Sequence, residues 1–443
     1  MSNPIVAIVG RPNVGKSTLF NRLVGKRIAI VEDTPGITRD RLYAEAEWIG
    51  RSFMLVDTGG MLLNETDPIA VQVRIQAEVA MEEADVIVLI ADGTQGVTPT
   101  DIDVANLLRR TKKPVLLAVN KIENMKQERD AVEFYSLGLG DINPISSIQG
   151  HGVADLLDKI VQALPPSQHE EYPEDAIRIA IVGRPNVGKS SMLNAIVKEE
   201  RAIVSEVAGT TRDAVDSLFI HEEQNVVLVD TAGIRRAGKV QHSVEYYSVL
   251  RAMQAIERAD VALLLIDASE GLADGDKRVG GYAHEAGRGV VIVVNKWDKM
   301  KGTGITMKKF AQDIRDQMPF MHYAPIVFAS AKNVKGVKEI LDSAIMAAQS
   351  HALRLPTGEI NRLIHDAVDL HPLNQKGKQF KVYYATMPTV KPPTVVIFTN
   401  DPNMLHFSYQ RYLENEIRKQ YPYEGTPMRI FARKAESKER RGK

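Results

Sequence analysis

One octapeptide, Gly-Arg-Pro-Asn-Val-Gly-Lys-Ser, occurs twice in the chain, at residues 10–17 and 183–190. Its glycines allow backbone N–H groups to surround a polyphosphate, its lysine reaches the outer phosphates, and its serine hydroxyl faces Mg²⁺. Each copy lies between an apolar run and a stretch with helical periodicity, which is the context that this pattern requires. Two such matches predict two phosphate-binding loops, formed by Gly10, Arg11, Pro12, Asn13, Val14, Gly15, Lys16 and Ser17 and by Gly183, Arg184, Pro185, Asn186, Val187, Gly188, Lys189 and Ser190.

Other motifs recur at matching distances behind each loop. Adding 173 to Thr38 gives Thr211, and adding 173 to Asp57 gives Asp230. The segment Asp57, Thr58, Gly59, Gly60 and Met61 therefore faces Asp230, Thr231, Ala232, Gly233 and Ile234. Farther along, the offset widens to 175 and then to 184, as insertions in surface loops would cause. The chain therefore carries two homologous nucleotide-binding domains.

Several of these residues suit a metal ion and a nucleotide-dependent switch. Asp57 and Asp230 follow strand-like runs, where a carboxylate can hold Mg²⁺ through a water molecule. Thr38 and Thr211 would close over the metal only in the triphosphate state, and the two glycines at 60 and 233 can offer an N–H to the γ-phosphate. The predicted metal ligands are Ser17, Thr38, Asp57, Ser190, Thr211 and Asp230.

A third group of residues suits guanine. An Asn-Lys-x-Asp tetrad places a carboxylate that accepts hydrogen bonds from the ring N–H and the exocyclic amine of guanine, and adenine has no such donor pair. The first repeat has a glutamate instead, which keeps the chemistry but is one methylene longer. The predicted base-side residues are Asn120, Lys121, Ile122, Glu123, Ser146 and Ser147 in the first repeat and Asn295, Lys296, Trp297, Asp298, Ser330, Ala331 and Lys332 in the second.

One expected catalytic residue is missing from both repeats. Many GTPases place a glutamine directly after the Asp-x-x-Gly segment to orient the attacking water, but here this position is occupied by Met61 and Ile234. An apolar side chain cannot position water, so hydrolysis must be slow or must use another device.

The elements that carry these motifs follow from the hydrophobic pattern. Within each repeat, apolar runs rich in β-branched residues alternate with helical stretches, which predicts an α/β fold with a mostly parallel sheet and helices on both faces. The motifs follow the carboxyl ends of the strands, where ligands bind in open sheets. The strands expected in the core span residues 5–9, 53–56, 86–90 and 115–119, and 177–182, 226–229, 261–266 and 290–294.

Behind the second repeat, the pattern predicts a smaller α+β domain. It reads as a helix over 358–370, strands over 379–386 and 394–399, a helix over 408–420 and a strand over 428–432. Lys376, Lys378, Lys381 and Lys391, with Tyr383 and Tyr384, form either a basic, aromatic surface or a strand with one tyrosine in the core.

Length, charge and composition narrow the class of protein. A chain of 443 residues is too long for one core and suits two domains and a smaller third one. No apolar run reaches the length of a membrane span, and the N-terminus lacks the pattern of a signal peptide. The chain has no cysteine, which excludes disulfides and thiolate metal sites and fits the cytoplasm. We therefore expect a cytoplasmic protein.

The net charge of zero hides an asymmetry. From His351 to the end there are 16 Lys and Arg against 9 Asp and Glu, and the remainder has 40 against 47. The basic residues are densest after Ala432, whereas residues 165–175 are acidic and rich in proline. The basic end is either a solvated tail or a contact to RNA.

The motifs and the C-terminal stretches 408–415 and 425–430 together resemble the EngA (Der) family of bacterial tandem GTPases over nearly the whole chain. This resemblance implies a GTPase that acts in assembly of the large ribosomal subunit, with two GTPase domains and a KH-like third domain. Its expected partners are the large subunit or its precursor and ribosomal RNA, and it is expected to be a monomer away from the ribosome. No Gly-x-x-Gly tetrad exists from His351 onward, which disfavours RNA binding by the usual KH route.

The resemblance also implies which residues assist catalysis. Asn13 and Asn186 would coordinate a potassium ion that neutralises charge on the γ-phosphate, so the implied cofactors are GTP or GDP at two sites, Mg²⁺ and K⁺. A loop asparagine that caps its own backbone is the alternative interpretation. The expected catalytic set is Asn13, Lys16, Thr38, Gly60, Asn186, Lys189, Thr211 and Gly233.

The predicted domain boundaries are 1–166 for the first GTPase domain, 167–176 for the acidic linker, 177–350 for the second GTPase domain, 351–433 for the KH-like domain and 434–443 for the basic tail. Other functions remain open at this point. Glu123 motivates a one-site GTPase whose first repeat is regulatory, and the basic C-terminal part motivates a GTP-dependent RNA-binding factor outside ribosome assembly. A GTPase of membrane trafficking or signalling is disfavoured, because no lipidation motif is present.

Overall fold

The computed structural model describes residues 4–24, 43–60, 69–123, 127, 129, 131–166, 172–173, 175–199, 216–231, 244–375 and 378–435. Six of the predicted site residues lie outside these ranges: Thr38, Met61, Thr211, Ala232, Gly233 and Ile234. The chain divides into two compact units, of which one holds most of the first repeat and the other holds most of the second repeat and the whole C-terminal domain.

The first repeat is built on a six-stranded sheet in the order β2-β3-β1-β4-β5-β6. All neighbours are parallel except β2 and β3, which form an antiparallel hairpin. The inner strands are buried on both faces, which explains their continuous apolar sequence. The strands are β1 Ile5–Val9, β2 Tyr43–Trp48, β3 Arg51–Asp57, β4 Val86–Asp92, β5 Val115–Asn120 and β6 Ile142–Pro144.

Helices cover this sheet. Leu19 and Phe20 of the first helix and Leu156 and Ile160 of the fourth pack with alternate residues of β1 and β4 in one apolar cluster. The third helix begins with a capping box in which Thr98 and Asp101 bond each other's backbone N–H. The helices are α1 Lys16–Val24, α2 Ile69–Glu83, α3 Pro99–Leu108 and α4 Val153–Ala163, with a 3₁₀ segment at Ala131–Leu137.

The second repeat has the same topology, with the sheet order β8-β9-β7-β10-β11-β12. The antiparallel pair is again the outer hairpin, β8 with β9. The strands are β7 Ile177–Val182, β8 Ser217–His221, β9 Gln224–Val229, β10 Val261–Asp267, β11 Gly289–Asn295 and β12 Ile326–Phe328. The helices are α5 Lys189–Glu199, α6 Val244–Arg258, α7 Asp274–Glu285, α8 Met307–Gln317 and α9 Val337–Ala352.

The C-terminal domain has the predicted order of elements. Two helices, α10 Thr357–Leu370 and α11 Phe407–Gln420, pack against one face of a three-stranded sheet. Its strands are β15 Val382–Val390, β16 Pro393–Thr399 and β17 Arg429–Lys434, preceded by a small hairpin of β13 Asn374–Gln375 and β14 Lys378–Gln379. The predicted strand 379–386 is therefore divided between β14 and β15.

Neither tyrosine of β15 lies in the core of this domain. Tyr383 and Tyr384 are both half-buried, and the core positions on this strand are Ala385 and Met387. Tyr384 stacks on Phe398 of the neighbouring strand, with the ring centroids 4.3 Å apart. Of the two interpretations of this strand, the one that buries a tyrosine in the core is wrong.

Main-chain hydrogen bonds fix the C-terminal domain to the second repeat. Gly425 donates to the carbonyl of Tyr323 at 2.9 Å and accepts from the N–H of Val290 at 2.7 Å. The hydroxyl of Thr426 donates to the carbonyl of Ala347 at 3.0 Å. A Cβ at Gly425 would lie 2.4 Å from that of Ala347, and φ there is +69°, so this close approach requires glycine.

Within the described ranges, no helix combines the length and the apolar character that crossing a bilayer would require.

Candidate functional site

The two phosphate-binding loops have matching geometry. Each loop connects the first strand of its sheet to a helix, and the loop lysine is the first residue of that helix. Lys16 Nζ donates to the carbonyls of Gly10 and Arg11, both at 2.7 Å. Lys189 Nζ does the same to Gly183 at 2.8 Å and Arg184 at 2.7 Å. Each ammonium is thus held at the centre of the curve of backbone that is expected to surround the phosphates.

Burial changes the acidity of both lysines. It lowers the pKa of Lys16 to about 8, against an opposing effect of Asp57. It also lowers the pKa of Lys189 to about 8, with Asp276 opposing. A nearby phosphate favours the charged ammonium, so binding of an anion would move both pKa values upward.

The loop also has to pass close to the base-side asparagine. A Cβ at Gly15 would lie 2.3 Å from Asn120 Nδ2, and one at Gly188 would lie 2.4 Å from Asn295 Nδ2. Both glycines have φ near +100°, at +101° and +103°, where other residues are strained. These two positions therefore need glycine for space and for backbone conformation.

Asn120 and Asn295 tie the two ends of each site together. The side-chain N–H of Asn120 donates to the carbonyl of Val14 at 2.8 Å, and its oxygen accepts from the N–H of Ser147 at 2.8 Å. Asn295 repeats this with Val187 at 2.9 Å and Ala331 at 3.1 Å. Each asparagine thus links the phosphate loop to the turn after the last strand of the sheet.

Two of the three predicted metal ligands of the first repeat, Ser17 and Asp57, contact each other; the third, Thr38, lies outside the described residues. Ser17 Oγ donates to Asp57 Oδ2 at 2.7 Å, and Asp57 Oδ1 accepts from the N–H of Gly59 at 2.8 Å. A Cβ at Gly59 would lie 2.2 Å from Lys16 Cε, so this segment packs directly against the loop lysine. Thr58 is fully buried and donates to the carbonyl of Ile8 at 2.6 Å, which anchors the segment to β1.

In the second repeat, Ser190 lies in the first turn of α5 and Asp230 directly follows β9. The backbone N–H of Asp230 donates to Asp216 Oδ1 at 2.8 Å, and its φ of +58° is left-handed. The buried Thr231 follows. The rest of this segment lies outside the described residues.

The lysines of the base tetrads bond to aspartates that the sequence analysis missed. Lys121 Nζ lies 2.6 Å from Asp92 Oδ2, and Lys296 Nζ lies 2.6 Å from Asp267 Oδ2. Burial raises the pKa of Asp92, but hydrogen bonds from Lys121 and Thr94 outweigh it and hold the pKa below its ordinary value. The same balance, with Lys296 and Ser269, lowers the pKa of Asp267. A signal existed in the sequence, because the two aspartates are related by the offset of 175.

The carboxylates that are predicted to read the base differ between the repeats. Asp298 is half-buried, and its Oδ1 accepts from Ser330 Oγ at 2.6 Å. Glu123 is exposed, and its backbone N–H donates to Gln127 Oε1 at 2.8 Å. Ser146, which matches Ser330, instead accepts from the N–H of Gln149 at 3.1 Å. The carboxylate of the second repeat is therefore oriented by a side chain, and that of the first is not bonded to the matching serine.

A second missed feature anchors each phosphate loop to a helix. Arg11 Nε donates to Asp101 Oδ1 at 2.9 Å, and Arg184 Nε donates to Asp276 Oδ2 at 3.0 Å. Both aspartates are buried near the start of a helix, α3 or α7. Burial raises the pKa of Asp276, and Arg184 opposes that rise. These pairs also recur at matching positions, 173 apart for the arginines and 175 for the aspartates.

The predicted residues that the structure describes therefore cluster at the carboxyl ends of the strands in both repeats. Trp297 packs edge-to-face on Phe328, and Lys332 lies in the 3₁₀ turn Ala331–Asn333 beside the base tetrad. Ile122 is buried, and Asn13 and Asn186 are exposed with left-handed φ values of +66° and +64°.

Comparison with known families gives matches over all three domains. The family described as "50S ribosome-binding GTPase" matches residues 5–121 and 178–296, once in each repeat. The family described as "KH-domain-like of EngA bacterial GTPase enzymes, C-terminal" matches residues 354–433.

Individual relatives match over nearly their whole length. GTPase Der of Geobacillus kaustophilus (strain HTA426) is 54% identical over 434 residues, which is 98% of this chain and 99% of the relative. GTPase Der of Brevibacillus brevis is 53% identical over 435 residues, 98% of this chain and 100% of the relative. Among solved structures, Era of Aquifex aeolicus bound to GDP and AlF₄⁻ matches at 22% identity and a TM-score of 0.30, over 58% of this chain and 88% of that chain.

Proposed function

The chain belongs to the Der (EngA) family of tandem GTPases, and from this premise we propose that each repeat binds and hydrolyses GTP, with Mg²⁺ and K⁺, during assembly of the large ribosomal subunit. It is a GTP-binding switch protein of a family that acts in ribosome assembly. The proposal for two sites is supported above all by one observation. In both repeats, a single asparagine bonds the phosphate loop at one end and the base-side turn at the other.

Within each site we assign five roles. Lys16 and Lys189 meet the outer phosphates as cations, the asparagines at 120 and 295 fix the distance between phosphate loop and base, and the carboxylates of Glu123 and Asp298 read guanine. Gly60 and Gly233 offer an N–H to the γ-phosphate, and Thr38 and Thr211 close over the metal in the triphosphate state.

Oxygen ligands in the first repeat suit Mg²⁺. Mg²⁺ prefers hydroxyl, carboxylate and water oxygens, and when bound it neutralises charge on the β- and γ-phosphates. Ser17 Oγ and Asp57 Oδ2 are two such oxygens, 2.7 Å apart and close to the loop lysine. Ser190 and Asp230 have the matching positions in the second repeat.

The loop asparagines suit K⁺. Asn13 and Asn186 have left-handed backbones and exposed side chains that hydrogen-bond to no other residue in the described ranges. An amide oxygen is a suitable ligand for a large monovalent cation, whose charge can replace that of an arginine. We expect potassium in place of sodium to raise the rate of GTP hydrolysis, and Asn186→Ala to remove the response of the second site. Equal rates in both salts would leave these asparagines with a structural role.

Counting bound nucleotides tests the two-site proposal. Calorimetry should find two GDP per wild-type chain, one in Lys16→Ala, one in Lys189→Ala and none in the double variant, because each change removes the cation at one site. A wild-type chain that binds one GDP at saturation would favour the alternative in which the first repeat is regulatory.

The ribosomal partner is tested by sedimentation. The basic C-terminal part, with 16 Lys and Arg against 9 Asp and Glu, supports contact with RNA through counterion release. On a sucrose gradient, the full chain with a non-hydrolysable GTP analogue should migrate with large-subunit particles, and with GDP it should not. The same migration with either nucleotide would contradict a GTP-controlled role in assembly. We expect this role to take place in the cytoplasm.

A further inference from the structure

The turn that follows β6 is held by an arginine of the helix behind the phosphate loop. Arg22, exposed on α1, donates through Nε to the carbonyl of Ser147 and through Nη2 to the carbonyl of Ile148. The same turn supplies the N–H of Ser147 that bonds Asn120 Oδ1 at 2.8 Å. Arg22 thus bonds the outer side of the turn whose inner side meets the base-tetrad asparagine.

Glycine at position 150 makes room for this arginine. A Cβ at Gly150 would lie 2.7 Å from Arg22 Nη1, and its φ of +91° is left-handed. Residue 150 is the fourth after Ser146, whose carbonyl accepts from the N–H of Gly150 at 2.6 Å. The turn is therefore tight, and the guanidinium lies directly against it.

At the matching positions, the second repeat has apolar side chains. The position that matches Arg22 is Ala195, which is 2% exposed, and the position that matches Gly150 is Val334. Both belong to the apolar cluster of that repeat, Ala195 within it and Val334 packed against it. The first repeat thus has a large helix residue, Arg22, against a small turn residue, Gly150. The second repeat has a small helix residue, Ala195, and a larger turn residue, Val334.

The first repeat also lacks a side-chain hydrogen bond that the second repeat has. Ser330 Oγ bonds the base-reading Asp298, whereas Ser146 Oγ accepts from the N–H of Gln149 within its own turn. The neighbouring Ser147 Oγ is buried and has no hydrogen-bond partner in the described part of the chain. No side-chain bond between this turn and Glu123 is present among the described residues, so the turn depends more on its outer support.

We propose that Arg22 is a positioning residue of the first nucleotide site, which holds the base-side turn through the carbonyls of Ser147 and Ile148. This inference rests on the proposed function, because it assumes that the first repeat binds a guanine nucleotide. Arg22 acts through the turn and not on the nucleotide itself. Its matching position in the second repeat, Ala195, cannot have this role, so the dependence is specific to the first site.

The expected effect follows from the bonds that are lost. Arg22→Ala removes two charge-assisted hydrogen bonds that are partly exposed to solvent, and such bonds contribute modestly. The turn then holds Asn120 less firmly, and we expect GDP to dissociate from the first site about 3- to 10-fold faster. Arg22→Lys keeps the positive charge but lacks the planar fork of guanidinium nitrogens that reaches both carbonyls, so it should give an intermediate rate.

The test measures dissociation of fluorescent mant-GDP by stopped flow from full-length chains. In a Lys189→Ala background only the first site should be occupied, and in a Lys16→Ala background only the second. Arg22→Ala should accelerate dissociation in the first background and leave the rate unchanged in the second. Arg74→Ala serves as the matched control, because Arg74 is an exposed helical arginine of the same domain whose ion pair is with Glu78.

Three outcomes would contradict the role of Arg22, and a fourth would contradict the two-site function. An unchanged rate in Arg22→Ala would show that the turn needs no support from this arginine. Equal acceleration at both sites, or no recovery in Arg22→Lys, would indicate general loosening of the fold. A Lys189→Ala chain that binds no mant-GDP at all would contradict the two-site function itself, which distinguishes that failure from the failure of the role of Arg22.

Discussion

At the scale of single residues, the two proposed sites share the contacts of the loop lysine and differ in how they hold the carboxylate that is predicted to read the base. Lys16 is buried, Lys189 is half-buried, and each is bonded to two carbonyls of its own loop. Asp298 is oriented by Ser330, whereas Glu123 is exposed and donates through its backbone N–H to Gln127. Phosphate binding should therefore respond alike in both repeats, and base recognition should not.

The acidity of the loop lysines predicts proton uptake on binding. With a pKa of about 8 in the free protein, Lys16 and Lys189 lose their protons as the pH rises past 8, and bound phosphate raises both values. Above about pH 8, binding of GDP must therefore take up protons, and affinity must fall as the pH rises. Well below pH 7, both states carry the proton and this dependence vanishes.

Calorimetry at pH 8.5 in two buffers of different ionisation enthalpy measures this uptake. The total heat of binding per mole of chain should differ between the buffers in the wild-type chain and differ about half as much in Lys189→Ala, where one site remains. Identical enthalpies in both buffers would mean that the lysines are already fully charged in the free protein.

The preference of the second site should change from guanine to xanthine when its carboxylate becomes an amide. Asp298→Asn presents an N–H where guanine has its amine, while the carbonyl of xanthine can accept from that N–H. We expect the second site to lose GTP and gain xanthosine triphosphate by about 2 to 4 kcal/mol. Competition binding with both nucleotides measures the change.

The first site supplies the comparison for this experiment. Glu123→Asp keeps a carboxylate and should leave the preference for guanine intact. If Glu123→Ala left the affinity of the first site for GTP unchanged, that residue would not read the base.

At the scale of secondary structure elements, each phosphate loop is anchored to the helix that follows the fourth strand of its sheet. Arg11 bonds Asp101 near the start of α3, and Arg184 bonds Asp276 near the start of α7. Asp276 is fully buried, so its charge depends on this partner. The loop is therefore not a free connection between strand and helix, because a side chain holds it from outside.

Removal of this anchor should destabilise the second repeat. Arg184→Ala leaves a buried carboxylate without its cation, and we expect a loss of about 2 to 3 kcal/mol in the free energy of unfolding of that domain. The chain has two tryptophans, Trp48 in β2 and Trp297 within the base tetrad of the second repeat. In a Trp48→Phe background, the fluorescence of Trp297 reports unfolding of the second domain in urea. Stability equal to that of the parent chain would mean that solvent replaces the arginine at no cost.

At the scale of the whole molecule, the second repeat and the C-terminal domain share backbone hydrogen bonds. Gly425 bonds Val290 and Tyr323 through its main chain, and Arg429 Nη2 donates to the carbonyl of Glu285 at 2.6 Å. Glu285 is the last residue of α7, whose other end is tied to the second phosphate loop through Asp276. One helix therefore contacts both the phosphate loop and the C-terminal domain.

A side chain at residue 425 should release this docking. Gly425→Val places a Cβ at 2.4 Å from that of Ala347 on a left-handed backbone, so the loop must move away. In this variant, hydrogen exchange at the backbone amides of residues 290 and 425 should be about tenfold faster than in the parent chain, while GDP binding persists. Gly358→Ala on α10, where an added Cβ meets no atom within 4 Å, is the control and should change neither amide.

Much of this protein can be predicted from its sequence alone. The phosphate loops are contiguous segments whose backbone and side chains all lie within eight residues, and the β-branched runs that flank them form strands wherever they are buried. For the same reason, the predicted strands 5–9 and 177–182 match β1 and β7 to the residue. The recurrence of the motifs also predicted two homologous domains, and the family matches over both repeats confirm them.

Only the tertiary structure decided which residues support those motifs. Arg11 and Asp101 are 90 positions apart, and Arg22 and Ser147 are 125 apart. Their contacts depend on the order of strands in the sheet and on the faces that the helices cover, which no local pattern specifies. The exchange of Arg22 and Gly150 for Ala195 and Val334 has the same origin, because complementary size is a property of two surfaces that meet only after the chain has folded.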